Sequence, residues 1–568
     1  MIAIYIDKKI RAYENQVKYA FDFIFRTLGY EYKYIKTADE ILSNDILIYY
    51  GVIHPTLEEA YQIVFRKIMF YLPFESELYD YRELSANKLR NCTLELPDGI
   101  PVYSTSEIFE AQTEKYSGLY YCSFGFDLVG NIFFQLNNAA QHVFGKEEVY
   151  DNNFEAYNDI PFVNHYLQRL EAELKSAYAG QHRYFLIKKE QWPQAEKMAV
   201  AISHTIDSLK KWDIKSILKI SFLDLLNFYR VNYFFKNFIS KSKYLLTNFE
   251  EYWNFDLINE LESEYKLRST YFLGSDTLNS KSFDYDVEDE DLLDELQKIK
   301  ERQCEIALLA PAYSQKADVY ASQKKIICEL TNRTKIGVRQ QNQGYDSKVT
   351  AQLHEKNHFH YDSSQYYSQT SGFKNGIASV YRHFRELNPQ LSEERSLNPV
   401  TNHLEIPVAF AAGTLRLSKF SNIPFDKAKS MLDSLIENAA ASNGLFAYDF
   451  SLSAFADIPY CAELFRYIQK KIAHHSRFQA TYGEIADWCK KRDSVYIREK
   501  NRRIKLYFPH AVEHITFQIL GEHKFYVADH QQVEIIKQRL IFHNVPSDSN
   551  ITIILEAPDN RESVNSDE

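Results

Sequence analysis

The chain is poor in glycine and cysteine and has no dense block of positive charge. Its 568 residues include 17 Gly and 6 Cys. The cysteines (Cys92, Cys122, Cys304, Cys328, Cys461 and Cys489) lie far apart and form no C-x-x-C, so neither a zinc knuckle nor a disulfide framework is indicated. Lys and Arg total 66 against 77 Asp and Glu, a formal charge of −11. Phosphate binding needs a concentrated positive footprint, so no nucleic-acid partner is expected. The short run Lys500-Asn501-Arg502-Arg503 reads as a solvated strand end. Long apolar runs are missing too. The opening Met1-Ile2-Ala3-Ile4-Tyr5-Ile6 breaks into Asp7-Lys8-Lys9, leaving no secretory core. The most apolar later stretch, Ile217 to Phe238, carries Lys219, Asp224, Arg230 and Lys236 and reads as a soluble helix rather than a membrane span. With widely spaced free thiols, the expected compartment is the cytoplasm.

Aromatic residues are abundant: 42 Tyr, 39 Phe and 4 Trp, or 15% of the chain. Runs such as Phe228-Tyr229 and Tyr233-Phe234-Phe235 stand at helical spacing and are expected to pack a core, whereas the Tyr366-Tyr367 pair falls in a loop. Apolar residues at 45% and charged residues at 25% are usual for a folded globular protein.

Segment by segment, residues 1–160 mix strands (Ile2 to Ile6, Asp45 to Tyr50) with a helix (Val17 to Leu28) and read as an α+β domain. Asn152-Asn153 to Pro161 reads as a linker into an amphipathic helix, Val163 to Tyr178. Strands and helices then alternate: Glu196 to Ser203, Ser269 to Leu273, Asp289 to Arg302, Glu305 to Leu309, Val319 to Leu330, Ile336 to Val338 and Lys348 to Lys356. That rhythm predicts β/α units around a parallel sheet or barrel over residues 161–494. From Val495 short apolar-alternating runs predict a small β-domain over 495–558, followed by a polar, frayed tail at 559–568.

Several short motifs occur in order. Ala199 to Ser203 leads into His204-Thr205-Ile206-Asp207-Ser208-Leu209, and later come Glu305-Ile306-Ala307-Leu308-Leu309-Ala310-Pro311 and Gly337-Val338-Arg339-Gln340-Gln341. Tyr361-Asp362-Ser363-Ser364, Gly372-Phe373-Lys374-Asn375-Gly376 and Pro407 to Leu415 follow. Together they resemble the polysaccharide deacetylase (NodB homology, carbohydrate esterase 4-like) family over about residues 195 to 490. The N-terminal region resembles, through Phe126-Asp127 and Phe133-Phe134, the domain that precedes this barrel in a bacterial subgroup, without the acidic pair expected near Asn138. The resemblance implies a distorted (β/α) barrel, an N-terminal α+β domain, a small C-terminal β-domain and a role in bacterial cell-surface carbohydrate metabolism.

The chemistry that the resemblance would bring needs a divalent metal to polarise the amide oxygen and activate water, and a carboxylate to take the proton. In the family's pattern the base falls at Thr205, a residue that cannot accept a proton near neutral pH. Asp207 is the only metal-ligand position retained. Leu309 or Ala310 and Gln341 stand where histidines are expected, Ala412 where an Asp is, and Gly444 to Ser451 lacks the late histidine. No catalytic residue and no metal are therefore expected, and His204, Asp207, Arg339 and Lys374 read as a binding remnant. The expected partner is a glycan or a protein of a glycan pathway. The alternative is an active hydrolase that deacetylates an N-acetylated glycan through a rearranged site built on Asp207 and His204, with one zinc held at Asp207. His354, His358 and His360 have H-x3-H-x-H spacing, but motif order puts them at a helix end, where they are expected to face solvent. The His474-His475 pair points to different sides of its helix.

Overall fold

Residues Met198–Ile206 form a nine-residue strand at the centre of a parallel sheet. The structure is a computed structural model. It describes the chain except for residues 38–39, 42–45, 65–66, 149–154, 180–184, 213–216, 218–230, 248, 276–281, 342–343, 347–348, 387–397, 419–420, 501, 530–531 and 557–568. The linker at Asn152-Asn153, most of the apolar stretch from Ile217 to Phe238 with its Phe228-Tyr229 pair, and the tail 559–568 lie outside the described residues. Two compact units are present. One takes Met1–Lys197, Asn375–Thr401 and Asp487–Glu568; the other takes Met198–Lys374 and Asn402–Ala486.

In the second unit the strand order is Val338–Gln340, Glu305–Ala310, Thr270–Gly274, Met198–Ile206, Leu445–Asp449 and Phe410–Ala411, with Arg477–Gln479 paired to the start of the central strand. Every pairing is parallel. Parallel neighbours need a crossover, and the helices Phe255–Tyr265, Glu290–Glu301, Ala317–Thr331 and Phe425–Ala441 provide them. Single parallel bridges from Val338 to Asp362 and from Asp362 to Glu405 carry the curl beyond the last full strand. The sheet is thus a curled, parallel half-barrel. Its strands are apolar runs because both faces are covered: Leu273, Leu308 and Val338 pack with Leu292, Leu296 and Ile299 of one covering helix and Ile327 of the next. Gly337 lets Tyr361 approach the sheet, since a Cβ there would stand 2.0 Å from the ring's Cζ.

In the first unit a six-stranded sheet runs Tyr32–Ile35, Ile2–Ile6, Ile46–Gly51, Ile68–Pro73, Leu119–Ser123 and Gln112–Tyr116. Only the last pairing is antiparallel. The α+β expectation for this region is corrected to a mainly parallel α/β sheet, because the helices Glu14–Leu28 and Leu57–Val64 act as crossovers between its strands. Asp127 caps the helix Leu128–Leu136 by accepting from the Gly130 N–H at 2.7 Å, and also accepts from the Tyr50 hydroxyl and the Glu75 N–H. The same unit holds two four-stranded antiparallel sheets, seven of whose strands lie between Tyr496 and Leu555. Leu186–Lys189 pairs with Val512–Leu520 in one of them, which ties the chain after residue 160 to this unit. Phe508 of one sheet meets Phe517 and Phe542 of the other. Among the described residues no helix is long and apolar enough to cross a membrane.

Candidate functional site

The C-terminal ends of the half-barrel strands open into a cavity of about 400 Å³. Thr205, Asp207, Leu309, Arg339, Gln341 and Asp449 line it, with Tyr366, Ser451 and Thr414 nearer other parts of its wall. Strand alternation decides which side chains arrive there. Along the central strand Ser203 and Thr205 face the interior, while His204 between them faces out.

In the cavity wall lies a buried ion pair. Arg339, 3% exposed, places Nη1 2.7 Å from Asp449 Oδ1. The same Nη1 donates to the hydroxyls of Ser203 (3.0 Å) and Thr205 (3.1 Å), and Nε donates to the Ser363 carbonyl at 3.1 Å. Nη2 donates to the hydroxyls of Ser363 at 3.0 Å and Tyr482 at 3.3 Å. Ser203 and Thr205 hydroxyls also donate to Asp449 Oδ1, at 2.7 and 2.8 Å. The guanidinium lies over the Phe272 ring, 3.9 Å from its centroid. Burial would lower the Arg339 pKa, but the adjacent Asp449 carboxylate outweighs it and the group stays charged above its ordinary value.

Asp207 also lines the cavity and accepts from the Ser453 hydroxyl at 3.2 and 3.1 Å. Burial pushes its pKa up to about 7 against the lowering effect of that hydroxyl, and the Asp449 charge adds to the rise. Tyr366 lines the wall, its phenol raised to about 12 by burial. Gln341 accepts from the Ala312 N–H at 3.3 Å. Zinc asks for a convergent set of imidazole, thiolate or carboxylate donors. Among the described lining residues there is no imidazole or thiol, Asp449 is engaged by a guanidinium, and Asp207 is left with hydroxyl and amide neighbours. This set does not fit a zinc ion.

Of the residues singled out from sequence, Thr205, Asp207, Leu309, Arg339, Gln341 and Tyr366 converge here. His204 does not. It is fully buried on the opposite face, with Nδ1 2.9 Å from the Phe450 carbonyl and Nε2 3.2 Å from Glu262. Lys374 is half-buried in the turn Lys374–Gly376 and is not part of the cavity lining. The solvent-facing expectation for the histidine cluster is corrected at His354: it is fully buried on the inner face of the helix Thr350–Lys356, its Nδ1 2.7 Å from Asp362, while His358 is exposed. His474 and His475 sit in the turn past the helix Cys461–Ile472, with His475 facing Glu437. Asp449 is the functional residue that sequence reasoning missed. The only signal was its place at the end of an apolar strand, level with the motif residues of neighbouring strands.

No family model matches the sequence, and no curated protein matches it. Fourteen chains of solved structures do. One, described as a polysaccharide deacetylase from Mycobacterium smegmatis, is 14% identical, with 53% of this chain and 92% of that chain covered and a TM-score of 0.35. Another, a polysaccharide deacetylase by description from Pseudomonas aeruginosa PAO1, is 14% identical over 53% and 94% of the two chains, with a TM-score of 0.34. A pseudoenzyme of the CE4 family from Bacillus anthracis is 10% identical over 52% and 67%, with a TM-score of 0.26.

Proposed function

We propose that this protein is a degenerate polysaccharide-deacetylase-like scaffold that binds a glycan, or a protein of a glycan pathway, without hydrolysing it. The proposal includes a bacterial cell-surface carbohydrate pathway and a cytoplasmic location. One observation carries it: the cavity carboxylate Asp449 is held by the Arg339 guanidinium and two hydroxyls, an arrangement suited to fixing a polar wall rather than to gripping a cation. Leu309 and Gln341, at the positions where the family resemblance calls for imidazoles, support the same reading.

The remaining lining suits a sugar. Ser368, Ser451 and Thr414 bring hydroxyls, Gln341 an amide, and Tyr366 an aromatic ring to the wall. Sugar rings present both hydroxyl edges and C–H faces, so such a mixed wall matches them. Titration of N-acetylated oligosaccharides into the full chain by calorimetry is expected to show binding that persists in the presence of chelator. Tyr366→Ala should weaken it about tenfold, the loss of one ring contact. Free amine released from the oligosaccharide in proportion to added protein would overturn the proposal.

A further inference from the structure

A second cluster of donor groups lies on the other face of the half-barrel. Tyr361 and Ser363 point inward, to Glu305 and Arg339 respectively, so alternation turns Asp362 outward, beneath the helix Thr350–Lys356. There it meets His354 from that helix and His403 from the neighbouring strand segment. His354 Nδ1 is 2.7 Å and His403 Nε2 is 3.9 Å from the same Asp362 oxygen, and one donor atom from each of the three residues lies within 4.8 Å of the others. All three are at most 3% exposed. Nε2 of His354 is buried and has no hydrogen-bond partner among the described residues.

From this geometry we propose that His354, Asp362 and His403 form a zinc site, with Glu405 next to Asp362 as the neighbouring carboxylate. In a tetrahedral site with bonds of about 2.0–2.1 Å, ligand atoms stand about 3.3 Å apart. The observed separations of 2.7 and 3.9 Å straddle that value, so side-chain rotations of a few tenths of an ångström, an order-of-magnitude figure, bring the donors onto one ion. Glu405 is the register partner of Asp362 on the next strand, is fully buried, and carries a carboxylate oxygen within 4.8 Å of one on Asp362. Its Oε1 accepts from the Gln365 N–H at 2.9 Å, the kind of outer contact that orients a ligating carboxylate. The Ser364 hydroxyl does the same for Asp362. Two buried carboxylates side by side repel unless positive charge or a proton stands between them. Two imidazoles in the donor set select zinc over calcium or magnesium, which prefer all-oxygen cages. The ion would fasten the helix Thr350–Lys356 to the sheet edge, where, among the described residues, single bridges continue the curl.

The test uses the full chain without a histidine tag, purified without chelator. Elemental analysis is expected to find about one zinc per chain. The zinc should be lost in both His354→Gln and His403→Gln and retained in Asp207→Asn, which separates this site from the cavity. Because the histidine variants could fail to fold, wild-type protein stripped by chelator is also titrated with Co²⁺. One-to-one uptake with tetrahedral visible absorption, and a Tm that rises by several degrees when zinc is restored, are expected. Stripped wild-type chain that takes up neither ion and shows no Tm change overturns the proposal. So does zinc that persists in both histidine variants, or that leaves with Asp207→Asn.

Discussion

Arg339 shows what a single residue does in this molecule. A guanidinium 3% exposed is tolerable only because Asp449, four side-chain hydroxyls and a backbone carbonyl meet its donors. Removing one partner leaves a charge in a low-dielectric interior, whereas removing both leaves only a packing change. Asp449→Ala is therefore expected to destabilise the chain by about 3–5 kcal/mol in urea unfolding, while the double change Arg339→Met with Asp449→Leu recovers most of that loss. A double variant no more stable than the single one would show that the hydroxyl network, not the charge pair, holds the wall. The pairing was illegible in the sequence for a simple reason: its partners are 110 positions apart, and neither belongs to a recognisable local pattern with the other. His354 illustrates the converse. Its spacing to His358 and His360 is a local pattern, yet its real neighbours are Asp362 and His403, the latter brought in by a different strand.

Elements were more legible, because short apolar runs and caps are local. The helix expected from Asp289 to Arg302 is found at Glu290–Glu301, and the strand expected at Glu305 to Leu309 is found at Glu305–Ala310. What the sequence hid at this scale was the sense of strand pairing near the N-terminus and the facing of alternate residues: the two sides of Met198–Ile206 differ only by a one-residue step, and His204 falls on the side away from Asp207. Asp289 is both a legible start signal and a physical one, since its side chain accepts from the N–H groups of Asp291 (3.1 Å) and Leu292 (3.4 Å), two groups with no partner earlier in the helix. Asp289→Ala is expected to cost about 1 kcal/mol, and Asp289→Ser to restore most of it. Equal midpoints for the three proteins in urea would mean the cap carries no stability.

On the scale of the whole molecule, two buried acids, one in each compact unit, set the direction in which stability depends on pH. Burial raises Asp127 from 3.8 to about 8 despite its three donors, and raises Asp207 to about 7. Between about pH 4 and those values the folded chain holds protons that the unfolded chain has released, so stability falls as pH rises, by up to about 1.4 kcal/mol per pH unit for each group. Other acids act in the opposite sense. Burial alone would raise Asp493, but Arg382, Arg492 and Arg26 pull it below the ordinary carboxylate range; Glu262 is likewise drawn down by His204 and Arg302 against its burial. Their contribution is complete above the unfolded value and disappears only as pH falls through the lower folded one. The two sets together place maximum stability on the acid side of neutrality, between about pH 4 and 6, with a decline toward pH 8. Urea midpoints measured across pH 4 to 8 should follow that course, and Asp127→Asn and Asp207→Asn should each remove part of the decline, the second only below about pH 7. A midpoint that is level or rises from pH 5 to 8 would mean that both carboxyls ionise in the folded chain, and Asp207 would then meet the cavity as a carboxylate rather than as the hydrogen-bond donor that a protonated acid presents to a sugar.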